Sequence, residues 1–251
     1  MKNISLCLLI LSLLIISCTS DTIDTADSNA DNGTDSKVNS KESEKSARLV
    51  ENLTPENPAN VYDLAGKLHN DLLETYLAGN YQYSTIAQIS EQVEAIAAAN
   101  SDVAHLNLER NLPANVEEIQ EIINNPEAKL DEAIANSSMT TAAKSCLSGF
   151  MNAALLWENE AYGVIYQSII SYESSVMTNS NFSDEDKRII LTTSSIVRYS
   201  LYYDTKPPYD EDWESNVGNR VGGVSGAIDN SYTAISRSLI TGIMINNLAA
   251  D

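Results

Sequence analysis

Apolar residues recur every three or four positions through most of the chain after residue 47, and this spacing places side chains on one face of an α-helix. In the first such stretch, the apolar residues are Val61, Leu64, Leu68, Leu72 and Tyr76. Alternating polar and apolar runs joined by tight glycine turns, the pattern of a β-sheet, are missing from the sequence. We therefore predict an all-α fold for residues 47–251, a single domain built as an irregular bundle of about six to eight helices.

Capping residues mark where the predicted helices begin and end. Asn60 is predicted to cap the first helix, and Gly79-Asn80 to end it. Ser183 precedes Asp184-Glu185-Asp186. The serine hydroxyl can accept a hydrogen bond from a free main-chain N–H group at a helix start, and acidic side chains are favoured at the positive end of the helix dipole. The run Thr192-Thr193-Ser194-Ser195 that follows also suits a strand, but the cap at Ser183 favours a helix.

Regularly spaced glycines distinguish the C-terminal part of the chain. Gly218, Gly222 and Gly226 fall four residues apart, hence on one face of a predicted helix. Each costs about 1 kcal/mol relative to alanine in a helix interior, and we expect close packing of a second helix to offset that cost. The spacings of a phosphate loop and of a hydrolase nucleophile elbow are not met.

The N-terminus resembles the lipobox of bacterial lipoproteins. Lys2 precedes an apolar run from Ile4 to Ile16 that is too short to span a bilayer, and the run ends at Ser17-Cys18. The resemblance implies that residues 1–17 are a cleaved signal peptide and that Cys18 carries the acyl chains of a membrane anchor. It also implies a place in the bacterial cell envelope. Thr19 after the cysteine, where aspartate would signal inner-membrane retention, favours the outer membrane, with the domain periplasmic or surface-exposed.

A polar segment follows the lipobox. Residues 18–46 contain too few apolar side chains to offset the entropy of ordering them, so we predict a disordered acidic tether between the lipid and the helical domain. Thr22 and Thr25 each stand between an aspartate and an apolar residue. Both triplets resemble acceptors of Bacteroidota-type O-glycosylation, although chance matches are an equal alternative in a segment of this composition.

Charge and cysteine content narrow the possible partners. The chain has 35 acidic and 15 basic residues, for a net charge of −20, which repels phosphates, so we expect no nucleic acid partner.

Apart from Cys7 and Cys18, only Cys146 remains among the cysteines, and we expect it to be a buried, unpaired side chain. The ligand spacings of zinc, di-iron and EF-hand calcium sites are absent from the sequence, so no metal or cofactor is expected.

Scattered residues resemble a group of helical lipoproteins found in Bacteroidota-type bacteria. They are Asn57-Pro58, Gly66-x-x-His69-Asn70, Arg198-Tyr199-Ser200 with Tyr202, Trp213, and Val217-Gly218-Asn219. The resemblance implies a helical fold and a location in the cell envelope, and it implies no particular activity. Within the pattern, His69, Trp213 and Asn219 are our candidates for contact with a ligand or a partner.

These observations predict a membrane-anchored envelope lipoprotein whose helical domain binds a partner protein or a ligand without catalysis. One alternative is a helical hydrolase or lyase, for which His69, Tyr202, Tyr203 and Trp213 mark the place to look. Another is a membrane-active or toxin-related protein that acts through residues 216–248, because small residues spaced by four also pair helices in lipid.

Overall fold

Nine α-helices and one 3-10 helix form the part of the chain that the computed structural model describes, residues 53–106, 115–157, 160–205 and 217–250. The α-helices are α1 (Leu64–Ala78), α2 (Ile86–Ala99), α3 (Val116–Asn124), α4 (Pro126–Asn136), α5 (Thr141–Ala154), α6 (Tyr162–Thr178), α7 (Asp184–Tyr203), α8 (Val217–Asp229) and α9 (Ser231–Ala250). The 3-10 helix is Ser101–Leu106. Because these residues contain no strand, the predicted all-α fold is confirmed.

Several predicted features lie outside the described residues. They are the signal peptide 1–17, the segment 18–46, Cys18, Thr22, Thr25 and Trp213. Within the described ranges, no helix has both the length and the apolar content to cross a bilayer.

Helix α7 lies at the centre of the bundle. It packs against α1, α5, α6, α8 and α9, and every residue from Ile189 to Leu201 is buried. A helix that is buried on all sides is normally apolar all round, yet this one contains Thr192-Thr193-Ser194-Ser195 and Arg198. Thr192, Ser194, Ser195 and Arg198 find hydrogen-bond partners in or beside the core, whereas Thr193 Oγ1 has none among the described residues.

Helices α8 and α9 form a tightly packed pair joined at Asn230. A Cβ atom at Gly222 would lie 2.7 Å from the main-chain oxygen of Arg237, and one at Gly226 would overlap the main chain of Thr233 and Ala234. Side chains at these two positions would push the helices apart, so only glycine permits this separation.

Asp186 joins the N-termini of two helices. As predicted, Ser183 caps α7: its Oγ accepts from the N–H of Asp186 at 3.0 Å, and Asp186 Oδ2 accepts from the N–H of Ser183 at 3.0 Å. The same carboxylate accepts from the N–H and the hydroxyl of Thr140, each at 2.9 Å. Since Thr140 caps α5, the two helix starts are held side by side.

The prediction that Asn60 caps the first helix is wrong. Helix α1 begins at Leu64, and the side chain of Asn60 donates instead to Glu173 Oε1 at 3.2 Å and to the main-chain oxygen of Leu191 at 3.1 Å. A buried carboxylate and a buried carbonyl both require a donor, and Asn60 supplies it through Nδ2. Its Oδ1, the atom that a cap would use, accepts from the N–H of Tyr62 in a local turn before the helix begins.

Four basic side chains donate to main-chain oxygens near the C-terminal ends of other helices. Those oxygens lack partners within their own helix and carry the negative end of its dipole. The donor and acceptor pairs are Lys144 with Ala135, Lys187 with Met177, Arg188 with Ala227 and Arg220 with Ala154. Each contact ties one helix to the end of another.

Candidate functional site

The guanidinium of Arg198 is a charged group enclosed in the core, with a side chain that is 0% exposed. Its Nη2 bonds to Asp63 Oδ1 and lies 3.2 and 3.3 Å from the two carboxylate oxygens of Glu173. The side chain of Glu173 is also 0% exposed, and that of Asp63 is 17% exposed. A charge is tolerated at such depth only when it is paired and hydrogen-bonded.

Donors surround Glu173. The side-chain amides of Asn57 and Asn60 and the hydroxyl of Ser194 all donate to its carboxylate, the last at 2.8 Å. Together with Arg198, they occupy the acceptor positions that a carboxylate offers. The residues before α1 are thereby bound to α6 and α7.

Asp63 links the same cluster to the start of α1. Its Oδ2 accepts from the N–H of Asn57 at 3.0 Å and from the hydroxyl of Tyr199 at 3.3 Å. Ser195 Oγ lies 3.3 Å from Asp63 Oδ1 and accepts from the N–H of Gly66 at 3.1 Å. A Cβ at Gly66 would overlap Ser195 and Tyr199, so this glycine lets α1 lie against α7.

A second buried cluster surrounds His69 and joins the first through Tyr199. His69 Nδ1 lies 3.1 Å from Asn70 Oδ1, and its Nε2 lies 3.1 Å from Ser238 Oγ and 3.3 Å from Asn219 Nδ2. Asn70 Nδ2 donates to the main-chain oxygen of Tyr199 at 2.8 Å, and Asn219 Nδ2 donates to that of Ser238 at 3.3 Å.

These contacts define the protonation of His69. The two carbonyl partners orient both asparagine amides, so Asn70 presents an acceptor and Asn219 a donor to the imidazole. His69 therefore carries its proton on Nδ1 and accepts at Nε2. Burial lowers the pKa of His69 to about 4, against a smaller opposing effect of the hydrogen bond to Asn70, so the ring is neutral at pH 7.

Ser238, His69 and Asn70 stand in the hydrogen-bond order of a nucleophile, a base and an orienting group. The 3.1 Å separation of Ser238 Oγ and His69 Nε2 suits proton transfer. However, both side chains are 0% exposed, and Asn219 occupies the same ring nitrogen. With no substrate access in this conformation, the cluster joins α1, α8 and α9 as a structural element.

The structure brings together two of the three candidate contact residues, His69 and Asn219. Trp213 lies outside the described residues, and Gly218 is buried in α8 beside the close contacts of Gly222 and Gly226. The residues named for the enzyme alternative differ in their exposure to solvent. Tyr202 and Tyr203 are half-buried near the C-terminal end of α7, whereas His69 is fully buried.

Sequence reasoning missed Asp63, Glu173 and Ser238. A signal for Glu173 was present, because the buried residues Ile165, Ile169, Glu173 and Val176 follow helical spacing, which places an acid on an apolar face. Arg198 likewise lies among the apolar residues of α7. An acid and a base that both occupy apolar faces indicate a buried pair, although the sequence does not show that they meet.

Comparisons with family models, with curated proteins and with solved structures find no match to this chain. The described residues contain no group of three or more histidine, cysteine, aspartate or glutamate side chains placed to hold a metal ion. The interpretation of both clusters therefore depends on their geometry.

Proposed function

We propose that this chain is a lipid-anchored lipoprotein of the bacterial envelope whose helical domain binds a partner protein. The observation that carries the proposal is the N-terminal sequence, in which Lys2, the apolar run 4–16 and Ser17-Cys18 follow the order and lengths of a lipoprotein signal. Cys18 is the acylated residue. The outer membrane is the proposed location, with the domain facing the periplasm or the exterior.

The buried clusters support a structural role for the residues that resemble the helical lipoproteins. Asn57, Gly66, Asn70, Arg198 and Asn219 all contribute to the two connected networks. Side chains used in this way hold helices in register, which gives a physical reason for the pattern without a shared reaction. We therefore propose that the chain belongs to that group on the basis of its fold and its location in the cell envelope alone.

The charge distribution favours a basic partner. Every lysine and arginine in the described part of the chain bonds to a carboxylate or to a main-chain oxygen. Helices α3 and α4 expose several acids beside a single base, Lys129. The exposed acids are Glu117, Glu121, Glu127, Asp131 and Glu132. A lysine-rich or arginine-rich surface would complement this face.

Metabolic labelling with an alkyne analogue of palmitate tests the anchor. In the producing bacterium, we expect the wild-type chain to be labelled and the C18S variant to be unlabelled and to retain residues 1–17. The C146S variant is the matched control and should be labelled like the wild type. Unlabelled wild-type protein, or labelled C18S, would refute lipidation at Cys18.

Cross-linking in cells followed by affinity purification tests the binding role. The wild-type chain should recover one defined envelope protein, and recovery should fall at high salt because exposed charges are screened. A triple variant, E121Q/D131N/E132Q, should recover less of the same protein. Equal recovery by both proteins would exclude the acidic face as the contact surface.

The membrane-active alternative requires a large rearrangement. Residues 218–227 of α8 are all buried, and α9 is buried from Thr233 to Ile243. These helices would have to leave the core to meet a bilayer. A peptide of residues 216–248 that releases dye from liposomes at micromolar concentration would favour this alternative over the binding role.

A further inference from the structure

Residues 53–62, here called the strap, contact α6 and α7 without forming a helix of their own. Asn57 and Asn60 are 6% and 2% exposed. Tyr166 of α6 donates its hydroxyl to the main-chain oxygen of Glu56 at 2.8 Å. The strap thus contacts these helices at several points while its own backbone follows a series of turns.

The two asparagines of the strap act as a matched pair of donors. Both direct Nδ2 at the carboxylate of Glu173, and Asn60 also reaches the main-chain oxygen of Leu191. Their Oδ1 atoms accept from main-chain N–H groups two residues further on, at 3.2 Å for Asn57 and 2.9 Å for Asn60. These local turns hold both NH2 groups toward the core.

The groove beneath the strap is lined by side chains of two helices. Glu173 is on α6, and Ser194 and Arg198 are on α7, so its polar groups are held by helices and not by the strap. Nε and Nη1 of Arg198 have no hydrogen-bond partner among the described residues. The groove therefore offers an acceptor that the strap uses, and Arg198 carries two buried donors that the strap leaves unused.

We propose that the strap is an intramolecular occupant of a peptide-binding groove, and that the groove accepts a partner segment that forms the same turns and carries two asparagines spaced as Asn-x-x-Asn. A segment that also offers a carbonyl oxygen to Arg198 satisfies donors that the strap does not. This inference deepens the proposed binding role and rests on it. Asp63 stays in place during the exchange, because it bonds Arg198 directly at the start of α1.

Covalent attachment explains why such a groove is closed in the free protein. A short flexible connection gives an internal ligand an effective concentration of about 1 mM or more, so a competitor in solution has to overcome that advantage. Substitutions that weaken the contacts of the strap should open the groove to a competing peptide without changing the helices that line it.

Fluorescence anisotropy with a labelled peptide of residues 53–62 tests the proposal on the full chain. The N57A/N60A protein should bind this peptide at least about tenfold more tightly than the wild type does, because its own strap competes poorly. A peptide with both asparagines replaced by alanine is the matched control and should bind neither protein. A folded N57A/N60A protein that ignores the wild-type peptide, or binds both peptides equally, would overturn the groove.

Hydrogen exchange on the wild-type chain gives an independent readout that does not require the variant to fold. Amides of the strap that are hydrogen-bonded should exchange at least about tenfold faster than those of residues 189–201, since release of the strap is a local opening. Equal rates in the two regions would mean that the strap leaves only on global unfolding, and that would overturn the proposal. Intact partner capture alongside failed peptide binding would refute the groove and leave the binding role standing.

Discussion

Asp186 and Thr140 are 46 residues apart in sequence, yet both carboxylate oxygens of Asp186 accept hydrogen bonds from Thr140. Because Asp186 also completes the capping box of α7, one side chain satisfies free N–H groups at two helix starts. The pair connects the local chemistry of a cap to the packing of α5 on α7.

Replacing Asp186 should therefore cost more than replacing an ordinary capping residue. We expect D186A to lower the free energy of unfolding by about 2–3 kcal/mol, since two caps of about 1 kcal/mol each are lost and buried donors are left unpaired. S183A, which removes one cap, should lose about 1 kcal/mol. Urea unfolding followed by circular dichroism measures both, and equal losses would contradict the double role.

Asp186 also predicts a loss of stability in acid. Burial raises the pKa of its carboxyl group, and hydrogen bonds from Ser183 and Thr140 outweigh burial, so the net pKa lies below its ordinary value. The stability from this group is present above the unfolded-state pKa near 4 and is lost as pH falls through the lower folded-state pKa. D186N should lack this component when unfolding is measured between pH 5 and 2.

His69 predicts a separate change at higher pH. Its pKa of about 4 in the folded chain lies below the ordinary 6.5, so between these values the unfolded chain binds more protons. Stability should therefore fall by about 3 kcal/mol as pH decreases from 6.5 to 4. H69Q should be less stable at pH 7 and should lack this pH dependence, whereas H105Q, at an exposed position, should retain it. A wild-type urea midpoint that stays constant across this range would contradict the buried neutral tautomer.

The adjacent glycines of α8 offer a matched pair of substitutions. A Cβ at Gly222 would lie 2.7 Å from the oxygen of Arg237, whereas one at Gly223 would meet its nearest neighbour at 3.7 Å. G222A should destabilise the protein by about 1–3 kcal/mol through overpacking. G223A should stabilise it by up to about 1 kcal/mol, because alanine is the better helix former. Thermal unfolding distinguishes the signs, and two changes of the same sign would show that α8 and α9 are not so closely packed.

Replacement of Arg198 should lower the free energy of unfolding, because its buried carboxylate partners lose their counter-charge. We expect R198M to lose about 3–5 kcal/mol, because Glu173 and Asp63 keep their places without a counter-charge. E173Q removes one of those charges, so R198M/E173Q should lose less than the two single variants together. A double-mutant cycle in urea measures the coupling, and simple additivity would contradict a direct interaction in the core.

The order of Ser238, His69 and Asn70 gives a direct test of the hydrolase alternative. A fluorophosphonate probe reacts with activated serines, and we expect no labelling of the folded chain because Ser238 is 0% exposed. S238A should lose about 1 kcal/mol of stability, the usual value of one hydrogen bond. Labelling of the wild type that disappears in S238A would establish a reactive serine and support the hydrolase.

The predictable features were those determined by neighbours in sequence. The spacing of apolar residues gave the helical class, and Ser183 with its acidic followers marked the start of α7, because a cap involves residues within one turn. The function of Asn60 could not be found in this way, since its partners are Glu173 and Leu191, more than a hundred residues further on. Even the end of α1 depends on finer geometry, because Asn80, not Gly79, adopts the left-handed conformation, with φ of 48°.

The candidate site was less predictable than the fold for the same reason. His69 and Asn219 were both named as contact residues, but their separation of 3.3 Å depends on how α1 and α8 each pack against α7 and α9. Nothing in the sequence distinguishes Asp63 from a surface acid, and the spacing that places Glu173 on an apolar face does not show that both acids meet Arg198. A buried network is a property of tertiary packing, and a single sequence shows only the unusual residues from which it is built.

The central position of α7 has a consequence for the order of folding. Helix α1 docks on α7 through Gly66 and Ser195, residues separated by 129 positions, and the strap needs Glu173 and Leu191. During synthesis the N-terminal half therefore emerges long before its partners exist, and contacts at such sequence distance form slowly. For the export that we propose, this delay is an advantage, because α1 cannot complete its packing before α7 has been made.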